Sequence, residues 1–212
     1  IAGTGFGSAV AIAGDLMAVG APLQSDTVGR VHVFQRGTSG WALSATLQAP
    51  DAAAGDRFGA SVDIASGRVF VGCPGDDLGA RTDAGSVRVF ERVGANWSQA
   101  TVLQATDGLA GDAFGTSVSA DGETVAVAAP ARDVDATTDR GAVLVFIRSD
   151  GNWSQQSVIA PTGATSTDAG FGASLQLRGE RLLVGGPRFD PQAQADQGSA
   201  FVHEAMQGQT RR

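Results

Sequence analysis

The sequence of 212 residues contains no lysine and no tyrosine, only one cysteine and no long apolar run. All 15 basic residues are therefore arginine, which we attribute to coding bias and not to function. The lone Cys73 excludes an internal disulfide, and its apolar neighbours predict a small buried side chain. Because a membrane-spanning helix needs about 20 apolar residues, we expect no membrane span. The net charge of −7 argues against nucleic acid as a partner, since phosphate binding needs a basic surface.

One pattern occurs four times in the chain and is its most informative feature. Each copy begins with Phe-Gly and has a proline 16 residues after the phenylalanine. The pairs and their prolines are Phe6-Gly7 with Pro22, Phe58-Gly59 with Pro74, Phe114-Gly115 with Pro130, and Phe171-Gly172 with Pro187. A repeat of 52 to 57 residues that contains four strands is typical of propeller blades. We therefore predict an all-β fold, a β-propeller of four-stranded antiparallel blades.

Each repeat contains apolar segments that predict its strands. The first alternates apolar and polar residues, the second is apolar and ends at the proline, and the third ends in Phe or, in the last repeat, His203. The fourth opens with Trp41, Trp97 or Trp153, and the last repeat ends without it. The predicted first strands are Phe6–Ile12, Phe58–Ile64, Phe114–Ala120 and Phe171–Leu177. We expect one propeller region, 1–212, with repeats at approximately 6–57, 58–113, 114–170 and 171–212, the last lacking its outer strand.

These residues resemble the FG-GAP repeat of the integrin alpha-chain propeller. The resemblance rests on the spacing from Phe-Gly to Gly-Ala-Pro, as in Gly20-Ala21-Pro22, and on the Gly-x-Val-x-Val-Phe segment after it. Trp-Ser-Gln at the start of the fourth strand, as in Trp97-Ser98-Gln99, is similar to the bacterial branch of these repeats. The resemblance covers essentially the whole chain. It implies a secreted or cell-surface protein with a role in adhesion or ligand binding, usually built as a ring of seven blades.

Integrin-type repeats carry a calcium loop, Asp-x-Asp/Asn-x-Asp-Gly, in the first hairpin, and this chain departs from them there. Its first hairpins have only tight turns, at Gly14-Asp15, Ser66-Gly67, Asp121-Gly122 and Arg178-Gly179. Such turns cannot supply the roughly six to eight oxygen ligands that Ca²⁺ takes. We therefore expect no cofactor, with calcium considered only for the acidic loops described below.

Four repeats, one of them incomplete, do not make a ring of seven blades. Three alternatives stay open, in this order of preference: a piece of a larger ring, a small ring of four blades, or a ring completed by a second chain. Neither an initiator methionine nor a signal-peptide pattern is found at Ile1, so we interpret the chain as a mature or trimmed segment of a longer one. Open ends would expose strand edges, which proteins usually pair or cover.

The loop between the second and third strands repeats an acidic pattern. Aspartates lie three and nine residues after the proline in the last three repeats, whereas the first repeat keeps only Asp26. These carboxylates either hold a cation or accept backbone N–H bonds as Asx turns, and we prefer the turn interpretation. The densest group is Asp76, Asp77 and Asp83. The candidate metal ligands are Asp76, Asp77, Asp83, Asp133, Asp139, Asp190 and Asp196.

The other polar candidates are interpreted as structural. Asp56, Asp112 and Asp168 come just before Phe-Gly pairs, where short turns between blades explain them. His32 and His203 lie in predicted strands without a nucleophile or ligand-spaced partners. Nothing resembles a Gly-x-Ser-x-Gly motif, a phosphate loop or a His/Cys metal cluster. We therefore expect no catalytic residues and no enzyme activity.

The function we predict is a non-catalytic extracellular binding or adhesion module. Its ligand, a protein or glycan at the cell surface, would bind through loops at one face of the ring. An acidic surface suits a basic or cation-bridged partner. A first alternative is a structural subunit that self-associates by pairing its incomplete blade with another chain. A second is a carbohydrate-binding propeller, since exposed tryptophans can stack on sugars.

Overall fold

The computed structural model describes residues 3–135, 137–161, 170–189 and 197–204. In these residues the chain forms 15 β-strands, grouped in four antiparallel sheets. The strands are β1 (Ala9–Ala13), β2 (Leu16–Ala21), β3 (Arg30–Gly37), β4 (Gly40–Leu47), β5 (Ser61–Ala65), β6 (Arg68–Cys73), β7 (Ser86–Val93), β8 (Asn96–Leu103), β9 (Val118–Asp121), β10 (Thr124–Ala129), β11 (Ala142–Ser149), β12 (Asn152–Ile159), β13 (Ser174–Arg178), β14 (Arg181–Gly186) and β15 (Ser199–Glu204).

Each sheet is one blade, and consecutive strands are neighbours within it. The orders are β1-β2-β3-β4, β5-β6-β7-β8, β9-β10-β11-β12 and β13-β14-β15. The inner strands of successive blades contact each other, β1 with β5, β5 with β9 and β9 with β13. These four strands line a shared central pocket of about 310 Å³. The prediction of antiparallel propeller blades is confirmed, and the last blade has three strands in the part of the chain that the structure describes.

The inner strands begin later than the sequence predicts. They start three or four residues after the phenylalanine, at Ala9, Ser61, Val118 and Ser174. The Phe-Gly pair precedes the strand because its glycine takes a left-handed conformation, with φ of 96° at Gly115. The phenylalanine bonds to the preceding blade instead, since Phe114 N donates to Ala84 O over 3.1 Å. The motif therefore ties one blade to the blade before it.

The first hairpin of each blade is a turn of two residues. The turns are Gly14-Asp15, Ser66-Gly67, Gly122-Glu123 and Gly179-Glu180. The last two lie one residue later than predicted, because the preceding strands extend through Asp121 and Arg178. A turn of this length has no room for a calcium loop of the integrin type.

Large apolar side chains fill the space between neighbouring blades. Phe58, Phe114 and Phe171 are each fully buried. Phe114 belongs to one cluster with Phe70 and Val87 of the preceding blade. Burial of each such side chain stabilises the fold by about 1.5–3 kcal/mol. The blades depend on one another because a single sheet cannot bury both of its faces.

The tryptophans of the outer strands pack between blades as well. Trp153 meets Phe70 of the preceding blade edge-on, with 5.6 Å between the ring centroids. Trp97 packs against the cluster between the first two blades. Trp41, in the first blade, is 39% exposed. The packing interpretation is confirmed for Trp97 and Trp153, so two of the three rings no longer support the carbohydrate alternative.

Candidate functional site

The loops at one side of the propeller form a continuous surface. They comprise the β2–β3, β6–β7 and β10–β11 loops and the connections between the first three blades, and we call this surface the loop face. Its described residues are 22–29, 48–58, 74–85, 104–114, 130–135 and 137–141. Loops of different blades bond through their backbones, since Arg57 N donates to Thr27 O and Gly111 N donates to Thr82 O, both over 2.9 Å. The loop face is therefore held as a single preorganised surface.

The recurring aspartates come together in pairs that close their own loops. Asp77 Oδ1 accepts the backbone N–H of Asp83 over 2.9 Å. Asp133 Oδ1 accepts the N–H of Asp139 over 3.0 Å. The second aspartate of each pair has φ of 50°, a left-handed conformation that Asp tolerates. This is the hydrogen bonding that the turn interpretation predicts.

Asp76, the third member of the densest acidic group, takes no part in the hydrogen bond between Asp77 and Asp83. Asp76 is buried, accepts the hydroxyl hydrogen of Ser86 and accepts from Arg88 Nη2 over 2.5 Å. Among the described residues no group of three or more His, Cys, Asp or Glu side chains is placed to hold a metal ion. Asp190 and Asp196 lie outside the described residues. A cation at these loops stays a prediction.

Three arginines, one in strand β7 directly below the loop face and two on the loop face itself, each hold an exposed aspartate. Arg88 pairs with Asp51 over 2.8 Å, and Arg132 pairs with Asp107 over 2.6 Å. The third pair joins the guanidinium of Arg140 to Asp135 over 3.2 Å. The arginine side chains are 4, 13 and 10% exposed, whereas those of Asp51, Asp107 and Asp135 are 65, 62 and 83% exposed. These carboxylates therefore sit in defined positions and face the solvent.

Sequence reasoning missed these pairs. The one available signal was Arg88, a charged residue inside a strand whose equivalent positions in the other repeats hold His32, Leu144 and Phe201. An arginine among otherwise apolar strand residues indicates a buried partner. The identity of that partner depends on how the loops fold back, and no local pattern encodes it.

The aspartates before the Phe-Gly pairs are buried turn residues. Asp56 Oδ2 accepts the N–H of Ala53 over 2.7 Å, and Asp112 Oδ2 accepts the N–H of Leu109 over 2.9 Å. Burial raises the pKa of both carboxyl groups. Their geometry matches the structural interpretation, and Asp168 lies outside the described residues.

Both histidines have packing or hydrogen-bonding roles. His32 Nε2 bonds with Gln24 Oε1 over 3.1 Å, and its Nδ1 bonds with Thr46 Oγ1 over 3.2 Å. His203 meets the ring of Phe171 edge-on at 6.4 Å. Burial lowers the pKa of each imidazole, which favours the neutral form.

Acidic residues outnumber basic ones on the loop face. Its loops contain Arg57, Arg81, Arg132 and Arg140. They contain eight exposed aspartates, Asp26, Asp51, Asp77, Asp83, Asp107, Asp133, Asp135 and Asp139, and three buried ones, Asp56, Asp76 and Asp112. A surface with this balance attracts cations and basic side chains.

Comparison with known proteins bears on the repeat. The sequence profile described as FG-GAP repeat matches residues 2–34, 41–90 and 97–146. No curated protein sequence matches the chain. Within the described residues, the structure contains no helix of the length and apolar character that crossing a bilayer requires.

Proposed function

The chain belongs to the FG-GAP repeat family, and we propose that it is a non-catalytic extracellular binding module whose loop face recognises a basic protein segment. The extracellular location is supported by the resemblance to secreted and cell-surface proteins with such repeats. The ligand class is supported by the surplus of aspartate on the loop face. Opposite charge guides association and fixes the register of a partner.

One observation carries the proposal: exposed carboxylates of different loops are held at fixed positions. Arg132 orients Asp107 through a 2.6 Å bond, and Arg140 orients Asp135. A carboxylate oxygen that is not engaged by its arginine is free to accept from an incoming guanidinium or ammonium group. Because the loops are tied by backbone bonds, little ordering is needed on binding.

The same geometry supports a role without catalysis. A general acid–base mechanism needs two titratable groups that converge on a substrate. On the loop face, Asp51, Asp107 and Asp135 each face an arginine. The Arg132 hydrogen bond lowers the pKa of Asp107, so this carboxyl group does not carry a proton near neutral pH.

The proposal is tested by binding of an arginine-rich peptide, measured by fluorescence anisotropy at low and at physiological salt. The double variant Asp107→Asn/Asp135→Asn removes two exposed charges from the loop face. We expect each removal to cost about 1 kcal/mol at low salt, roughly fivefold in Kd. Screening should reduce the difference at higher salt.

The matched control is Asp150→Asn/Glu180→Gln, which changes the net charge equally on the opposite side of the propeller. This control should retain the affinity of the unaltered protein. If both double variants weaken binding equally, the peptide senses only the total charge and the loop face is not the site. Thermal unfolding of both variants confirms that they remain folded.

A further inference from the structure

Two apolar sheet faces at the ends of the blade series are exposed. We call the side of the first blade that carries Phe6, Val10 and Ile12 the leading face. These residues are 56, 68 and 67% exposed. The trailing face is the side of the last blade that carries Leu183 and Val202, which are 46 and 64% exposed.

Inside the chain, the same two kinds of face meet and exclude water. The leading-face positions of the second blade are held by Phe58, Val62 and Ile64, which are 0, 7 and 6% exposed. They form one cluster with Val31 and Val33 of the first blade, and Val33 holds the repeat position of Val202. Each end face is thus one half of an interface that the chain builds between its own blades.

The trailing face also has the concave shape that a leading face requires. Its groove of about 210 Å³ is lined by Ser174, Leu175, Gln176, Leu183, Gly185 and Ala200. Ser119 of the third blade holds the repeat position of Gln176. At the junction of the third and last blades, Ser119 Oγ accepts the backbone N–H of Leu177 over 3.0 Å. Ile12 holds the repeat position of Leu177. The Gln176 side chain therefore offers an acceptor to the N–H of Ile12 in another leading face.

The two end faces carry the residues that would form one further contact between a tryptophan and an apolar side chain of the neighbouring blade. Between the second and third blades, Phe70 packs against Trp153 edge-on at 5.6 Å. At the same repeat positions the last blade has Leu183 and the first blade has Trp41. These two are 46 and 39% exposed. A junction between the end faces would bring them together and bury both.

The charges of the end faces are complementary in the same register. At the junction of the second and third blades, Arg68 pairs with Glu123 over 2.9 Å, and Arg148 pairs with Glu91 over 3.5 Å. On the trailing face, Arg181 and Glu204 hold the repeat positions of Arg68 and Glu91. On the leading face, Asp15 and Arg36 hold those of Glu123 and Arg148.

If the two end faces met in this register, each of two residue pairs would join a positive group to a negative one. Arg181 would meet Asp15, and Glu204 would meet Arg36. In the structure Arg181 and Glu204 are 77 and 73% exposed and lie 3.6 Å from each other. The junction of the first two blades follows the same register, because Arg92 donates to Gln35 over 3.3 Å there.

A glycine on the trailing face fits the same scheme. A Cβ atom at Gly72 would lie 2.0 Å from Gly115 O of the next blade, so the glycine permits this close approach, whereas the third blade has Ala128 at the same position. Gly185 holds the equivalent position in the last blade, yet a Cβ atom there would meet only Ser174 of the same blade. The close approach that this glycine permits is to the Phe6-Gly7 segment of a leading face.

We propose that the trailing face binds the leading face of a second copy of this chain, head to tail. The two faces of one chain are exposed at the same time, so a single copy does not bring them together. Two copies joined twice would form a closed ring of eight blades, within the range of about four to eight that propellers use. The proposal is independent of the ligand of the loop face.

The test is the mass of the 212-residue chain by sedimentation velocity and light scattering across a concentration series. The expected species is a dimer. The proposed ring has two junctions, each with Arg36 opposite Glu204. Either single variant, Arg36→Glu or Glu204→Arg, places like charges opposite one another at both of them. Each should weaken the dimer by at least about tenfold in its dissociation constant. The double variant Arg36→Glu/Glu204→Arg restores opposite charges and should restore the dimer.

The matched control is Glu180→Arg, which makes the same charge change at a turn in the internal junction to the third blade. There the facing positions hold Thr124 and Ile147, which carry no charge, so this variant should dimerise normally. A monomer at every soluble concentration would overturn the proposal and leave other blades or another partner to cover the faces. A dimer that neither single reversal weakens, or that the double reversal does not restore, would overturn it too. Circular dichroism checks that each variant is folded.

Discussion

Arg88 Nη2 donates to Asp76 Oδ2 over 2.5 Å, and both side chains are buried in the second blade. The same two repeat positions are occupied by different pairs in other blades. They hold Gln24 and His32, which share a hydrogen bond of 3.1 Å, in the first blade. In the last blade, Phe189 and Phe201 meet edge-on at 4.8 Å. In these three blades one contact site is thus filled by an ionic, a polar or an aromatic pair, whereas the third blade has Arg132 and Leu144 at the two positions and Arg132 pairs with Asp107 instead.

The first prediction follows from this matching. Arg88→Phe alone leaves the buried Asp76 carboxylate without its guanidinium, which we expect to cost about 3–5 kcal/mol in free energy of unfolding. The double variant Asp76→Phe/Arg88→Phe recreates the aromatic pair of the last blade. It should lose much less than the sum of the two single changes. Urea unfolding of all four proteins measures the coupling, and simple additivity would contradict the prediction.

The second prediction concerns Gly85, whose backbone lies against the backbone of the next blade. Gly85 has φ of 80°, and a Cβ atom there would lie 2.1 Å from Phe114 O. Gly94 has φ of 64° with open space around it. Gly94→Ala should therefore cost about 1–2 kcal/mol for the left-handed backbone alone. Gly85→Ala should cost a further 1–3 kcal/mol or so, because the junction must open. Equal losses in urea unfolding would show that the approach of the two blades is not tight.

The third prediction is a dependence on pH at Asp56. Burial raises the pKa of this carboxyl group above its ordinary value of 3.8. The stability that its protonated form contributes is therefore complete below pH 3.8 and is lost as the pH rises through the folded-state pKa. Asp56→Asn, which keeps an oxygen acceptor for Ala53, should stabilise the protein at neutral pH. The gain should shrink as the pH is lowered towards 3.8.

The control for this experiment has the opposite sign. The hydrogen bond from Arg132 lowers the pKa of Asp107 below 3.8. Its contribution is present above pH 3.8 and is lost as the pH falls through the folded-state pKa. Asp107→Asn should therefore destabilise the protein at neutral pH and have a smaller effect in acid. Thermal unfolding across this pH range measures both variants, and the same trend for both would refute the assignment.

The fourth prediction concerns the thiol of Cys73. Its side chain is buried, and burial raises its pKa. A disulfide reagent should react with the native protein only as fast as the protein opens. At the same pH and reagent concentration, the thiol of the urea-unfolded protein should react far faster, because it is exposed at all times. Rapid labelling of the native state would place the thiol at the surface.

The candidate site shows how far local patterns reach. The recurrence of aspartates three and nine residues after the proline predicted that Asp77 and Asp133 share one role, and the structure shows both accepting an N–H six residues later. Asp76 and Asp77 are neighbours in sequence, but their side chains have different hydrogen-bond partners. Asp76 faces Ser86 and Arg88 of the following strand. Two aspartates that are adjacent in sequence can point to opposite sides of a turn, and the sequence does not show which side each carboxylate faces.

The sequence by itself determined the architecture. Alternation of apolar residues, tight turns and prolines acts over a few residues, so it specifies strands and hairpins locally, and their fourfold repetition specifies blades. Only the tertiary structure decided which arginine holds which aspartate, and that Trp153 is packed while Trp41 is exposed. The two tryptophans are equivalent in the repeat, but only Trp153 has a preceding blade in the described structure to cover it. Burial depends on neighbours brought close by folding, which equivalent local sequences do not distinguish.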